Sequence, residues 1–500
     1  MILILLLALP LIAAALSAVV PVRRVAQAVT VVSALGVLLL ALVVAHRVST
    51  GALVSSSSLG TSVSVIPGFL VADGLSALIV ALVALIGATA AIYSWGYMER
   101  TCAEHPERLR IYYANYNVFL FAMLAIPLTV EPTLVWIFVE LTTLSSALLV
   151  SFENTREALE AAWKYVTLSL MGAGIALLGF LMLFAALEAA GGATYSWTGL
   201  LAAAPRMPAP LIAAAFLLIL VGFGTKVGLV PLHTWLPDAH SQAPSPICAL
   251  LSGIETTTVL YVILRLLPVL RASPASEVAE CVPIFGLISV GVAAFLLLQV
   301  RDYKRLFAFS TVEHMGIILV AAGLGSSAAQ YGALYQIVCH TVTKSFCFFA
   351  AGSALLTVTT REIASVKGLI RESRPAAASL LLGGLAIGGA PPLAVFLSEF
   401  TILKAGFAEG QYAVMALLAL FIAIAFFGIL LHINRMVFGR ADEPQLPKTG
   451  TAVHSAKAAA LPRTCLAMLL VGGALVILLG VYLPSPIDHL LRLASGASPG

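Results

Sequence analysis

The chain has 500 residues, 61% of them hydrophobic and only 10% charged, with a formal net charge of +4 and a mean hydropathy of +1.05. A soluble domain carries about a quarter of its residues as charges, so this composition excludes a soluble globular fold and implies a polytopic membrane protein. The small, scattered positive charge offers no nucleic-acid arm, and Cys102, Cys248, Cys281, Cys339, Cys347 and Cys465 lack the CxxC or Cys/His spacing of zinc, iron–sulfur or disulfide frameworks.

At about twenty apolar residues per span, the sequence predicts about fourteen helices, near 2–20, 25–46, 69–95, 112–130, 132–151, 162–188, 209–231, 246–270, 281–300, 304–325, 329–358, 377–405, 411–438 and 461–483. The fold class expected is all-α, a single integral membrane domain over residues 1–500. The first run lacks a basic flank and reads as a spanning helix, not a cleaved leader. Ser55 to Ser64 reads as an exposed connection. Roughly nineteen lysines and arginines fall on one side of this arrangement and about six on the other, which predicts both termini outside the cytoplasm of a cell (inner) membrane protein. The rich side holds Arg23 and Arg24, Arg100 to Arg110, Arg301 to Arg305, Arg361 to Arg374, and Arg440 to Arg463.

The fifth predicted helix carries Glu140 in WIFVELTTL. The seventh, in LLILVGFGTKVGLVPLHTWLPDAHSQAPSP, places Lys226 inside an apolar run that Pro231 then breaks. A cation in mid-span costs roughly 2.5–3.5 kcal/mol on insertion scales, so it needs a partner, water or a task. A proline there frees backbone groups that are tolerated only beside protein or a hydrated cavity. Glu140 is the expected partner of Lys226. At about 5 Å and an effective dielectric near 20 their attraction is roughly 3 kcal/mol, gained or lost as the pair closes or opens. The competing reading is a static buried ion pair that sets helix packing.

Further along, Lys164 opens the sixth helix and either snorkels or joins the Glu140 and Lys226 pair. Glu255, in GIETTTVLY of the eighth, either bridges two halves of a path or packs helices. Glu313 and His314 in FSTVEHMG, and His340 with Lys344 in ALYQIVCHTVTKSFCFF, extend the series; His340 and Lys344 are four residues apart and share a helix face. Glu399 follows Pro391 and Pro392 in GGAPPLAVFLSEF and supplies an acidic end, whereas Lys404 either snorkels or continues the path. His233, Asp238 and His240 lie beyond the helix break and shape a mouth or an interface. Helices 4 to 8 (112–270) and 9 to 13 (281–438) share a plan of an early interior glutamate and a late break, in helices 7 and 12. An odd helix count inverts the second copy, so two inverted five-helix repeats are expected. GFGTK lacks the GxxxxGK[ST] spacing that cradles phosphates, and no motif holds a redox centre, so no cofactor and no metal are expected.

Taken together, GTKVGLVPLHTWLPDAH, WIFVELTTL, KYVTLSLMGAG, FSTVEHMG, HTVTKSF and FLSEF resemble the antiporter-like membrane subunits of respiratory complex I, Mrp cation antiporters and group 4 hydrogenases. The resemblance spans most of Tyr112 to Arg440 and leans toward hydrogenase-4 component F of the formate hydrogenlyase group. It implies a mid-membrane axis of buried charges that falls here on Glu140, Lys226, Lys344 with His340, and Glu399. It implies as well an ion-translocating subunit, for protons or sodium, without a redox centre of its own, partnered by other membrane subunits and by peripheral redox subunits of a hydrogenase or complex I-like assembly. Its alternatives are an Mrp-type antiporter subunit or a complex I subunit. Many members carry a lysine or histidine in the eighth helix, where this chain has Glu255 and Thr256 to Thr258.

Overall fold

The structure, a computed structural model, describes residues 1–50, 55–57, 60–66, 69–440 and 460–496. Helices α1 (Ile2–Val19) and α2 (Arg23–Thr50) pack as a pair. The serine-rich connection runs as β1 (Ser55–Ser57) and β2 (Gly60–Ile66), followed by β3 (Leu70–Ala72), in one antiparallel sheet of order β1-β2-β3. Ser56 pairs with Thr61 and Ser64 with Val71. The exposure expected of the serine side chains lies outside the described residues.

Helix α3 (Gly74–Thr101) starts where the Asp73 carboxylate accepts the Ser76 amide at 2.9 Å, satisfying one of the amides every helix start leaves open. Next come α4 (Leu109–Leu128), α5 (Pro132–Val150), α6 (Arg156–Ala189), the short α7 (Trp197–Ala203) and α8 (Ala209–Val227). Helices α6 and α8 cross so closely that a Cβ on Gly172 would lie 2.6 Å from the Gly222 carbonyl oxygen. Small residues permit such a crossing where apolar burial, matched by lipid, cannot drive it.

After α8 the chain continues through α9 (Trp235–Gln242), α10 (Ser245–Leu250), one π turn (Leu251–Glu255) and α11 (Thr256–Arg271). The second half holds α12 (Cys281–Leu297), α13 (Tyr303–Leu324), α14 (Ser327–Val358), α15 (Leu369–Glu372), α16 (Arg374–Ile387), α17 (Ala394–Ala408) and α18 (Tyr412–Phe438), and α19 (Arg463–Val481) and α20 (Ser485–Ser495) close the described chain. Helix α14 is the hub, packed on α3, α10, α13, α16, α17, α19 and α20. The span Ser245–Arg271 is wholly enclosed, with 100% of its apolar window buried, against 28% for α18, most of whose surface the rest of the chain leaves uncovered.

Among the described residues, thirteen helices are long and apolar enough to span a membrane. They correspond to thirteen of the expected stretches; the other, 377–405, is two shorter helices, α16 and α17, separated at Gly388 to Leu393. The chain is an all-α, multi-pass membrane protein. In the seventh expected span the helix stops before Pro231. It ends at Val227, with Gly228 at φ +88° as its left-handed cap, a conformation that only glycine adopts without penalty. A Cβ on Gly228 would also lie within overlap distance of the Leu236 side chain. Lys226 therefore sits in the last turn, where the helix dipole favours a cation, and not in mid-helix.

Both breaks free backbone groups, and side chains satisfy them. The Trp235 indole N–H donates to Thr225 O at 2.8 Å, Val230 N donates to Ser289 Oγ at 3.1 Å, and His314 Nε2 donates to Ile387 O, the last carbonyl of α16, at 3.0 Å. Unsatisfied peptide groups at this depth would each cost several kcal/mol by order of magnitude, so these contacts are what makes the interruptions tolerable.

Candidate functional site

The first cluster forms where α5, α6 and α8 meet the π turn. Lys226 is 2% exposed and its ammonium lies 3.2 Å from Glu255 Oε1, itself 1% exposed. It also donates to Val139 O at 2.9 Å and to Thr143 Oγ1, both on α5. Glu255 Oε1 accepts from the Tyr165 hydroxyl of α6 at 3.0 Å, and that hydroxyl shares a 2.8 Å hydrogen bond with Ser146 of α5. The Tyr165 ring stands 5.9 Å from the Lys226 nitrogen, within cation–π range. One buried charge pair is thus surrounded by dipoles from two helices, α5 and α6, the arrangement that keeps a desolvated pair from being a net cost.

The expected pairing of Lys226 with Glu140 is corrected by this geometry. Both Glu140 carboxylate oxygens are buried without a hydrogen-bond partner among the described residues, and no ion pair joins Glu140 to Lys226. It acts on the cluster only through space, within electrostatic reach of Lys226 and Glu255. The reason is the early end of α8. Stopping at Val227 brings the ammonium to the π turn, where Glu255 projects inward, and leaves it bonded to the α5 backbone one residue before Glu140.

The second cluster lies on α13, α14 and α17. Lys344 is fully buried and donates to Phe307 O and to Ser310 Oγ, each at 2.5 Å. No carboxylate lies within salt-bridge distance of it among the described residues; Glu313, 3% exposed, is the acid within its electrostatic reach and also feels Glu399. His340 Nε2 donates to Ser252 O, in the π turn, at 3.1 Å. Its ring stands 5.2 Å from that of His314, whose Nδ1 accepts from Gln336 Nε2 at 2.8 Å. Gln336 Oε1 accepts from Ser398 at 2.5 Å, and Glu399 follows, 5% exposed, its Oε2 2.5 Å from where a Cβ on Gly389 would stand. Because carbonyls only accept, these contacts assign the Nε2–H tautomer to both histidines when neutral.

The two clusters touch one element. The π turn supplies Glu255 to Lys226 and the Ser252 carbonyl to His340. A π turn widens the ladder by one residue and re-aims its side chains and carbonyls, a distortion frequent at functional sites. Glu255 therefore stands at the junction between the two clusters.

Two further candidates lie elsewhere. Lys164, half-exposed, pairs with Glu160 at 2.7 Å and with Asp238 at 3.1 Å, and Asp238 also pairs with Arg305 at 2.6 Å. This surface network separates Lys164 from the buried Lys226 cluster. Lys404 is exposed near the end of α17, as snorkelling requires. Beyond the α8 break, His240 is buried with Nδ1 donating to Leu236 O at 2.7 Å, so it supports the break and opens no mouth. Sequence reasoning missed Tyr165, Thr143, Ser252, Ser310 and Gln336. Gln336 was recoverable, since it precedes His340 by four residues on the same face. Tyr165 was not, because its neighbour Lys164 points to a different face.

Residues 131–426 match the family described as NADH:quinone oxidoreductase/Mrp antiporter, transmembrane, and residues 61–106 match the complex I chain 5 N-terminus. The hydrogenase-4 component F homolog of Methylacidiphilum infernorum (isolate V4) is 37% identical over 429 residues, covering 83% of this chain and 90% of that protein. Among solved structures, a chain of the membrane-bound sulfane sulfur reductase, an archaeal respiratory membrane complex, superposes with a TM-score of 0.85 at 24% identity, covering 99% of this chain and 97% of that one. A chain of the Mrp complex from Dietzia sp. DQ12-45-1b gives 0.83 at 19% identity, covering 99% and 96%. Both structural likenesses establish the fold. The share of the chain matched and the 37% identity establish the family: this protein belongs to the antiporter-like membrane subunits of the complex I, Mrp and hydrogenase-4 family.

Proposed function

We propose that the chain is the ion-translocating subunit, for protons or sodium, of a multisubunit oxidoreductase of the hydrogenase-4 type, and that redox chemistry in its partner subunits drives transport through it. The observation that carries this reading is the run of buried polar groups from Lys226 through Glu255, the π turn, His340, His314, Gln336 and Ser398 to Glu399. Ionisable groups at membrane depth are costly and mark ion routes. Orphaned polar atoms line the same run: Glu140 Oε1 and Oε2, Glu255 Oε2, Glu313 Oε2, His340 Nδ1, Thr341 Oγ1 and Thr343 Oγ1 have no partner among the described residues. Each would be expensive if dry, and each is a place where water completes a relay.

In this reading the Lys226 and Glu255 pair is the switch. Closed, it holds the ammonium against its carboxylate. Opened by a change relayed from a partner subunit, it leaves an uncompensated cation that gives its proton to the relay on the α14 side and takes one back on closing. Glu140 biases the switch through space, Glu313 does the same for Lys344, and Glu399 ends the relay. The fold is read as two inverted repeats, 112–270 and 281–438, a reading supported by the two interrupted helices with Gly228 and Gly389 in left-handed conformations at their breaks. Both termini are placed outside the cytoplasm. Supporting this, the arginine-bearing connections meet at one end of the bundle: Ile363 N donates to Arg301 O at 2.8 Å and Arg361 Nη1 to Ser241 O at 2.5 Å.

The test is ion flux in proteoliposomes that hold the intact complex. Lys226→Ala is expected to abolish coupled transport while assembly persists, and unchanged transport would refute the reading. A second reading, an Mrp-type cation/proton antiporter subunit without a redox partner, is favoured by the likeness to the Dietzia chain. Neighbouring genes separate the two, since a nickel-iron large subunit with ferredoxin-like subunits supports the first.

A further inference from the structure

A cleft of about 650 Å³ opens at the arginine-rich end of the second half, away from the buried relay. Its walls are the C-terminal turn of α18 with His432 and Arg435, the following Gly439 and Arg440, the link between α12 and α13 with Val300 and Arg301, and the connection Glu362 to Lys367. The wall is built, not a loose surface: Ile363 N donates to Arg301 O at 2.8 Å, Tyr303 N donates to Arg361 O at 3.2 Å, and Asp302 bridges Glu362.

The charges inside are unbalanced. Among the described residues, Arg301, Arg435 and Arg440 share the cleft with a single carboxylate, Glu362, one oxygen of which already accepts from Ser365 at 2.7 Å. The exposed Arg301, Arg435 and Arg440 make no side-chain hydrogen bond or ion pair to another described residue. His432, 7% exposed, lines the same cleft. Guanidinium groups lining one cleft are a donor set for a multiply charged oxyanion, because planar N–H forks match phosphate oxygens in pairs.

The surroundings select the carrier. The cleft sits at the end of a spanning helix, at headgroup depth, and α18 is the least enclosed span, with 28% of its apolar window buried. Bare apolar surface adjoins the cleft. Phe438 is 54% exposed at the end of α18, and the side chain of the 38%-exposed Leu298 packs on Gly428, one turn before His432. A ligand with a phosphate head and acyl chains satisfies both surfaces at once, whereas a free ion uses only the arginines. We propose that this cleft is a binding site for a phosphate group carried by an anionic phospholipid, with Arg301, Arg435 and Arg440 as its donors.

The test uses the full chain purified in neutral detergent and offered an equimolar mixture of phosphatidylglycerol and phosphatidylcholine, with retained lipids counted by native mass spectrometry. The wild type is expected to retain the anionic lipid about a hundredfold over the zwitterionic one, and the Arg301→Ala, Arg435→Ala, Arg440→Ala triple variant to lose that preference, since each of the three basic residues adds about fivefold. Unfolding temperature in phosphatidylcholine alone checks that the variant is folded; these side chains are exposed, so no internal contact is removed. Inorganic phosphate forms a separate arm. Stabilisation of the wild type by phosphate, lost in the triple variant, with no lipid preference, overturns the lipid and identifies a free-anion site. Equal retention of the two lipids by the wild type without a phosphate effect, or a preference that survives in a folded triple variant, overturns the site altogether.

Discussion

Replacing Glu255 by Gln removes the one carboxylate among the described residues within salt-bridge distance of Lys226 and leaves the shape of the cluster nearly intact. The two charges are 3.2 Å apart and at most 2% exposed. At that distance Coulomb's law with an effective dielectric near 20 gives about 5 kcal/mol, and removing one partner of a buried pair costs about 3–5 kcal/mol. The ammonium keeps its bonds to Val139 O and Thr143 Oγ1, so the lower end of that range, about 3 kcal/mol, is expected for Glu255→Gln. An equilibrium between charged-closed and open states would shift by about 150-fold. The assay is a double-mutant cycle with Lys226→Ala, read both as unfolding of the full chain in detergent and as flux through the intact complex. Because the double variant leaves no uncompensated cation, it should be about 3 kcal/mol more stable than the sum of the single effects requires. Coupling within about 0.5 kcal/mol of zero would mean that the two side chains do not act as a pair, and the reasoning would fail.

Four other outcomes are expected. Lys226→Arg should stop transport in proteoliposomes without loss of assembly, because a guanidinium stays protonated and its planar fork does not fit the contacts to Val139, Thr143 and Glu255; wild-type flux would make Lys226 an electrostatic fixture. Glu140→Gln should lower flux less than Glu255→Gln, since its oxygens bond to nothing among the described residues; an equal or larger loss would restore Glu140 as the direct partner. Single cysteines placed at 301–305 or 361–374 should resist membrane-impermeant thiol reagents from outside whole cells, and labelling there would reverse the proposed orientation. The purified chain should carry no stoichiometric nickel, iron or flavin and no hydrogenase or dehydrogenase activity; among the described residues no three His, Cys, Asp or Glu side chains group as a metal site, and a stoichiometric metal signal by elemental analysis would contradict the expectation.

The sequence by itself determined what local chemistry controls. Long apolar runs can bury their backbone polar groups in a bilayer only as helices, so thirteen continuous spans were legible, and the interruptions near Pro231 and at Pro391 and Pro392 were announced by residues that cannot complete a helix. Lys226 and Lys344 stood out because a cation in an apolar run is costly wherever it falls. Only the tertiary structure decided what those cations touch. Where α8 ends depends on Gly228 meeting Leu236 and on Trp235 capping Thr225, contacts between residues that no periodicity relates. Ending the helix at Val227, ahead of the Pro231 break that the sequence announces, leaves the ammonium in the last turn. It aims the ammonium at Glu255 on the π turn instead of at Glu140. The π turn is likewise invisible in GIETTTVLY, because its extra residue is accommodated by packing against α14, where the Gly253 Cα leaves room for Ser345, and not by any residue type that prefers it. Which helices face each other is a property of the packed bundle, and so the partner of a buried charge can be named only after the bundle has formed.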